Sequence, residues 1–178
     1  MTDDFRVSIP MPAPGSAATT GVTHRGEVVV LRAVRVDEAF PADDSQWDDW
    51  GDGPRGEMPK DIDRLIVEGG DGVAGIVSWH RVEYGATLAS HAWNIGIGLV
   101  ATARGRGIGP VVQRLLALWL LEVSDLFRIE ASTDVANLAE QRALELAGFT
   151  REAILRSAQM RRDGRHDLVS YSLLRTDL

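Results

Sequence analysis

The chain contains the sequence Arg104-Gly105-Arg106-Gly107-Ile108-Gly109 between a strand-like run, Trp93 to Val100, and an apolar run of helical periodicity, Val111 to Leu121. The alternating glycines let the backbone turn without Cβ clashes and direct successive N–H groups towards an anion. The helix that follows adds the positive end of its dipole at the same place. This stretch therefore predicts a phosphate-binding loop. The alternative is a tight strand-to-helix turn that carries two solvated arginines.

Two common nucleotide-binding loops do not fit this stretch. A P-loop ends in Gly-Lys-Ser or Gly-Lys-Thr, whereas the one lysine of the chain is Lys60, far upstream. A dinucleotide-binding fingerprint needs a glycine where Pro110 stands. The spacing of Arg104, Gly107 and Gly109 matches the pattern Arg/Gln-x-x-Gly-x-Gly/Ala instead. It resembles the acyl-coenzyme A pyrophosphate loop of the GNAT superfamily of N-acetyltransferases.

Two later segments strengthen this resemblance. The run from Asn137 to Glu152 resembles the second signature of the family, in which Asn-x-x-Ser is followed by a helix and Gly-Phe. The C-terminal segment, with Leu155-Arg156, Asp163 to Asp167 and Tyr171 to Arg175, is similar to the RimJ/RimL-like branch. The resemblance covers residues 27 to 178, and two linked motifs in the right order are more specific than either alone.

The resemblance implies an α/β (α+β) fold of GNAT type, with a mixed, mostly antiparallel central sheet, helices on both faces, and splayed fourth and fifth strands. Residues 1–25, rich in small residues and proline, are expected to form a loose N-terminal arm, and residues 26–178 a single acetyltransferase domain. Apolar periodicity and turn residues predict the elements along the chain. The predicted strands are 27–36, 63–68, 72–79, 89–100, 127–133, 149–160 and 166–174, and the predicted helices are 110–123 and 137–147.

Composition narrows the class of protein. The chain has 178 residues, of which 44% are hydrophobic, and this is enough for one buried core. It has no cysteine, so a cysteinyl acyl intermediate is excluded and direct attack is the simpler scheme. The net charge of -7 disfavours direct binding of nucleic acid. The acidic N-terminus does not resemble a signal peptide and no stretch predicts a membrane span, so we expect a cytoplasmic monomer or homodimer without membrane contact.

The resemblance also implies acetyl-CoA as the cosubstrate and gives its position. The pyrophosphate would lie on the backbone amides of the loop, which are those of Arg104, Gly105, Arg106, Gly107, Ile108 and Gly109. Arg104 or Arg106 would add a charged contact, and surface charge is the alternative for both side chains. The pantetheine arm would lie between the splayed strands, bonded to Ile97 and Leu99. The amide of Ile97 would point at the thioester carbonyl and stabilise the oxyanion that develops there.

Asn137 and Glu140 stand at the start of the second predicted helix. Asn137 suits a helix N-cap, and the resemblance implies that it also binds the pantetheine amide. Glu140 departs from the family, because this position is often serine or alanine, and serine in this branch lies near the thiolate. Glu140 would accept a proton from the amine, hold the pantetheine arm, or only favour the positive helix start. Leu144 is a second departure, because other branches carry a tyrosine general acid there.

The implied reaction transfers acetyl to a primary amine, of a protein N-terminus or a small molecule, by direct attack in a ternary complex. Candidate bases are Glu140, Glu130 and His91, and a water relay to backbone carbonyls is a further route. A non-catalytic acyl-CoA-binding or scaffold protein of the same fold is the alternative, because the tyrosine is absent and the serine is exchanged. The histidines lack the paired spacing of metal ligands, so no metal is expected.

One further feature concerns the acceptor. The stretch from Asp37 to Asp52 is rich in acids, including Asp43 and Asp44, and contains no lysine or arginine. In the family, the segment after the first strand borders the acceptor mouth. These acids are therefore candidates to attract a cationic amine. A solvated acidic loop is the alternative.

Overall fold

The computed structural model describes residues 5–41, 45–54, 56 and 62–178. In these ranges the chain forms eight strands and two α-helices around one sheet. None of the helices in the described ranges is long and apolar enough to cross a membrane. The elements are β1 Ala17–Val22, β2 Val28–Arg32, β3 Asp63–Gly69, β4 Gly72–Glu83, β5 His91–Leu99, α1 Ile108–Val123, β6 Arg128–Asp134, α2 Leu138–Ala147, β7 Thr150–Arg161 and β8 Gly164–Leu174.

The sheet has the strand order β1-β2-β3-β4-β5-β6-β8-β7. Neighbouring strands are antiparallel except for β5 and β6, which are parallel and are connected through α1. A parallel pair needs such a crossover, because the chain must return to the same end of the sheet. The sheet is thus mixed and mostly antiparallel, as predicted.

The parallel pair is short, and this creates a gap in the sheet. β5 and β6 pair only at Trp93 with Ile129 and at Asn94 with Glu130. Beyond these pairs β5 continues along β4 up to Leu99, whereas β6 continues along β8 up to Asp134. The two strands therefore separate towards their C-terminal ends. They are the fourth and fifth strands of the sequence prediction, and their predicted splay is confirmed.

Helix α1 packs its apolar side onto the sheet. Val112, Leu116 and Leu120 of this helix are fully buried. The ring of Trp119 meets that of Trp79 on β4 edge to face, with centroids 5.5 Å apart and planes at 76°. Such aromatic pairs add to the hydrophobic stabilisation that their buried area supplies. This core fixes the position of the loop that precedes α1.

The N-terminal region differs from the sequence prediction. Ala17–Val22 lies in the segment expected to be a loose arm, yet it forms β1 and pairs with β2, so that expectation is wrong for these residues. A side chain at Gly21 would meet Leu115 of α1 at 2.9 Å. The glycine therefore permits close packing of the strand against the helix, and tertiary contact outweighs the low strand propensity of this segment.

Candidate active site

The loop from Arg104 to Gly109 has the turn geometry that its glycines predict. Gly105 and Gly107 have φ values of 69° and 84°, a region that side chains with a Cβ rarely adopt. Gly107 is the N-cap residue of α1, which begins at Ile108, two residues before the predicted start. A Cβ on Gly107 would lie 2.6 Å from the imidazole of His24. The helix start thus presents open backbone beside a histidine from the turn between β1 and β2.

The two arginines of the loop have different surroundings. Arg104 lines the cleft beside the loop, and its Nε donates to the carbonyl of Leu99 at 2.9 Å. Arg106 is instead ion-paired with Glu27 at 2.6 Å and with Asp71 at 2.8 Å, and it does not line the cleft. Both carboxylates raise the pKa of Arg106, with the hydrogen bond to Asp71 as the largest cause. The Arg106 side chain therefore lies outside the cleft and stabilises the loop through these two ion pairs.

A cleft of about 640 Å³ runs from this loop along the C-terminal half of β5 to the start of α2. Its walls come from the glycine loop, the C-terminal half of β5, α2 and residues 45–47. The residues that line the cleft include His24, Ile97, Leu99, Arg104, Gly107, Gly109, Asn137 and Glu140. The cleft brings together most of the residues that the sequence assigned to cofactor binding, and they come from three separate segments.

The backbone of β5 directs polar groups into the gap. The N–H group of Val100 donates to the carbonyl of Ala74 on β4 at 3.0 Å. The register between β4 and β5 is regular, so backbone groups alternate in direction along β5. The N–H and C=O groups of Ile97 and Leu99 therefore point away from β4, towards the space between β5 and β6. One of these groups, the Leu99 carbonyl, already accepts the Arg104 hydrogen bond.

A second, smaller cavity of about 200 Å³ lies deeper in the gap between β5 and β6. It shares Ile97, Asn137, Glu140, Ser45 and Trp47 with the larger cleft, so the two spaces meet at these residues. The rest of its wall is mainly polar and comes from α1, β5, β6, β7, β8 and Asp48. These residues include Gln113, Ser132, Thr133, Asp134, Gln159 and Arg161. A substrate in the small cavity would contact a ligand of the cleft at this junction.

Glu140 lies at the junction, in the first turn of α2. Its backbone N–H donates to the side chain of Asn137 at 3.3 Å, so Asn137 caps the helix as predicted. The Glu140 side chain borders both spaces but is largely surrounded by protein. Burial raises its pKa to about 7, and the nearby Gln113 amide opposes this shift only in part. A carboxyl with this pKa exchanges protons near neutral pH.

An ion-paired cluster on the far wall of the small cavity was not anticipated from the sequence. Asp134 on β6 is bonded by Arg161 of β7 and by His166 of β8, both at 2.7 Å. Burial disfavours its charge, but the Ala136 amide, His166 and Arg161 together keep the pKa of Asp134 below its usual range. Asp163 and Asp134 raise the pKa of His166. These residues are far apart in sequence, and only the sheet brings them together.

The other candidate bases lie outside both spaces. Glu130 is buried and accepts hydrogen bonds from Tyr84 and Arg128. His91 is buried at the start of β5, at the opposite end of the strand from the junction. Neither residue lines the cleft or the small cavity. Leu144 is fully buried, and neither tyrosine of the chain lines the two spaces.

The acid-rich stretch is largely neutralised where the structure describes it. Glu38 is held by Arg32 at 2.6 Å, and Asp49 is paired with Arg162 at 3.0 Å. Asp48 lines the small cavity. Asp43 and Asp44 lie outside the described residues. The described acids therefore do not form one uncompensated negative surface, and Asp48 is the member placed to meet a substrate.

Metal binding has no candidate in the part of the chain that the structure describes. No three or more histidine or acidic side chains there are grouped so that they could hold a metal ion. Of the acids that line the two spaces, Asp134 is ion-paired with Arg161 and His166.

Known proteins resemble this chain in structure. No protein-family model matches the chain, and no curated protein matches its sequence. A putative acetyltransferase from T. thermophilus is similar, with a TM-score of 0.57, 27% identity, and coverage of 66% of this chain and 61% of that chain. RimJ from Mycobacterium smegmatis in complex with CoA-disulfide has a TM-score of 0.58 and 21% identity, with coverages of 66% and 55%.

A spermidine N-acetyltransferase from Vibrio cholerae, in complex with CoA and spermine, is also similar. Its TM-score is 0.57 at 17% identity, with coverage of 66% of this chain and 68% of that chain. For two further acetyltransferase structures the chain spans 65% and 59% of the length of the solved structure, and for RimJ it spans 55%. The shared architecture is the GNAT fold, and the predicted fold class is confirmed.

Proposed function

We propose that this protein is an N-acetyltransferase of RimJ/RimL-like type that transfers acetyl from acetyl-CoA to a primary amine by direct attack in a ternary complex. The observation that carries this proposal is the junction of two spaces at Ile97, Asn137 and Glu140. One space is long and begins at a glycine-rich helix start. The other is small and polar, and a carboxyl of pKa about 7 stands between them.

The larger cleft has features that suit acyl-CoA. Positive-φ glycines at the start of α1 leave backbone amides open to a pyrophosphate, and Arg104 supplies positive charge beside them. Several charge-assisted hydrogen bonds of about 1.5 to 3 kcal/mol each are enough for micromolar affinity. The polar backbone of Ile97 and Leu99 faces the gap, where a pantetheine arm would find main-chain partners. Structures of similar fold contain CoA or CoA-disulfide.

The proposed reaction uses the junction as its centre. The nitrogen of the acceptor amine forms a bond to the thioester carbonyl carbon, and the Ile97 N–H stabilises the negative charge on the carbonyl oxygen. Glu140 takes the proton that the nitrogen loses. The C–S bond then breaks, and the thiolate leaves without a tyrosine acid, because a thiol pKa near 8.5 makes it a tolerable leaving group.

The pKa of Glu140 bears on the acceptor. At pH 7 a lysine-like amine with a pKa near 10.4 loses its proton at a cost of about 4.6 kcal/mol, whereas an α-amine near 7.8 costs only about 1 kcal/mol. A carboxylate formed near pH 7 is a matched base for the second kind of amine. This favours a protein N-terminus or a small amine of lowered pKa. The similar structures include enzymes named for a ribosomal protein alanine and for spermidine.

The test of this function is amine-dependent release of free CoA. Purified protein is mixed with acetyl-CoA, and thiol release is followed while peptides with free N-termini, polyamines and small amines are added. We expect release to depend on one of these classes and mass spectrometry to show acetylation of its amine. CoA binding by calorimetry without turnover on any acceptor would instead support the non-catalytic acyl-CoA-binding protein.

A further inference from the structure

Gln113 is the one amide among the buried residues of α1. It is only 1% exposed, and neither amide atom meets hydrogen-bonding geometry with a partner in the described part of the chain. Its buried neighbours on the helix, such as Val112 and Leu116, are aliphatic. Burial of a carboxamide without hydrogen bonds is unfavourable, and a leucine would avoid this cost. A glutamine at this position therefore calls for a role that an apolar side chain cannot fill.

The position of Gln113 relates it to the junction. The residue follows Gly109 by one helical turn and lines the small cavity together with Glu140 and Ile97. Its Nε2 atom is 4.0 Å from the place that a Cβ on Gly109 would occupy. Gln113 also lowers the pKa of Glu140, against the larger opposing effect of burial. Gln113 thus lies beside the carboxyl and lines the space proposed for the acceptor.

We propose that Gln113 is a positioning residue for the transfer: in the ternary complex its Nε2–H group donates to the Glu140 carboxylate, and its Oε1 accepts an N–H of the acceptor amine. This inference rests on the proposed function. A carboxylate only accepts hydrogen bonds, whereas an amide offers both a donor and an acceptor. A primary amine that gives one proton to Glu140 keeps another N–H for Gln113. Gln113 therefore favours primary over secondary amines.

Other charged groups line the two spaces near Glu140, and their charges could also affect its pKa. Asp134 and Arg161 on the small cavity form an ion pair at 2.7 Å, so their charges largely cancel there. Burial and Gln113 are the two causes of the shift in the Glu140 pKa, and these other groups do not contribute to it. The titratable and charged residues that line the two spaces are Asp48, Asp134 and Arg161 on the small cavity and His24, Arg104 and Arg142 on the cleft.

The variant Gln113→Leu keeps the volume of the side chain and removes both hydrogen-bonding groups. We expect a folded protein whose acetyl-CoA KM is near that of the wild type, whereas kcat with a primary amine falls about tenfold at pH 7. The acidic limb of kcat/KM moves to higher pH, because the carboxylate loses a donor. The preference for a primary amine over its N-methylated form also narrows. A purely structural role would change stability without moving the limb.

The matched control is Gln141→Leu, the same chemical change next to Glu140 in sequence. The Gln141 side chain bonds the carbonyls of Asp134 and Val135 and lines neither space. The Gln141→Leu variant should keep the acidic limb of kcat/KM and the preference for primary amines. In the Glu140→Gln background, Gln113→Leu should lose most of its effect on kcat, because the two residues act together.

An NMR titration of the Glu140 carboxyl carbon in the unliganded protein separates this inference from the proposed function. Gln113→Leu should raise the Glu140 pKa, and Gln141→Leu should not. An unchanged titration and an unchanged acidic limb in folded Gln113→Leu overturn the inference while the acetyltransferase stands. A wild-type protein without amine-dependent CoA release overturns the proposed function and the amine contact, even where the titration shows that Gln113 lowers the Glu140 pKa.

Discussion

The two ends of the candidate site are built from different parts of the chain. The glycine loop is a run of six residues, Arg104 to Gly109, and it presents mainly backbone groups at the start of α1. The small cavity is formed by residues of β5, α1, β6, α2, β7 and β8 and of the segment 45–48, including Gln113, Asp134 and Arg161. The first end depends on local conformation, whereas the second depends on the whole sheet. Changes at the two ends should therefore affect different steps of the reaction.

The sharpest test of this contrast is Glu140→Gln, which changes the junction and leaves the loop intact. We expect kcat/KM to fall by about 10² to 10⁴, because a general base is lost, while CoA affinity stays within a few-fold. For the wild type we expect kcat/KM to rise with pH through about 7, as the Glu140 carboxylate forms. The variant should lack this limb. Steady-state kinetics of the variant from pH 5.5 to 9 measure this difference. A pH profile like that of the wild type would contradict the assignment of Glu140 as the base.

The loop end is tested by Gly107→Val, with CoA affinity measured by calorimetry. Its Cβ would strike His24 at 2.6 Å and cover the open amides, so we expect Kd to rise about 100-fold. Gly26→Val is the matched control, because Gly26 has a similar φ of 81° but open space around it. Both variants carry the same backbone strain. Equal CoA affinities in the two folded variants would refute the phosphate loop.

A smaller effect separates the two loop arginines. Arg104→Gln should weaken CoA binding about tenfold, because one charge-assisted contact at the cleft is removed. Arg106→Gln should change Kd less than threefold but lower the Tm, because Glu27 and Asp71 lose their partner. Calorimetry and thermal unfolding measure the two quantities. The reverse ranking of affinities would show that Arg106 turns to the ligand when it binds.

The smallest expected effect is on stability. The Glu140 pKa is raised from 4.5 to about 7, so between these values the folded state binds more protons than the unfolded state. The free energy of unfolding of the wild type therefore falls, relative to Glu140→Gln, as pH rises through this window. The difference should be about 1 kcal/mol, because the side chain retains some access to solvent. Urea unfolding at pH 4.5 and pH 8 checks the sign, and a constant difference would refute the raised pKa.

The contrast also explains which features the sequence could predict. The loop and the Asn137 cap are local patterns, since glycines at positive φ and an asparagine before a helix need only their neighbours. The gap between β5 and β6 followed from the resemblance, because no periodicity reports where a parallel pair ends. Glu140 was identified by its departure from the family. Its raised pKa, however, depends on how deeply the packed helices bury it.

The features that were missed depend on contacts that no local pattern contains. Gln113 is a polar residue inside a largely apolar helical run, and its burial depends on how α1 packs on the sheet. The bonds of Asp134 with Arg161 and His166 join three strands. Similarly, β1 is formed through pairing with β2 and contact with α1, although its threonine and glycine content resembles a linker. In β1 tertiary contact outweighs strand propensity.

Glu27 has a consequence for the kinetics of ligand capture. Its carboxylate accepts from the Arg106 guanidinium at 2.6 Å and from the Gly70 N–H at 3.2 Å. One side chain thus ties the glycine loop to the turn between β3 and β4 and to its own β1–β2 hairpin. A loop that is already ordered in the free protein loses little conformational entropy when phosphate arrives. Encounter with the nucleotide end should therefore proceed as docking to a rigid surface, and association should be limited by diffusion and orientation.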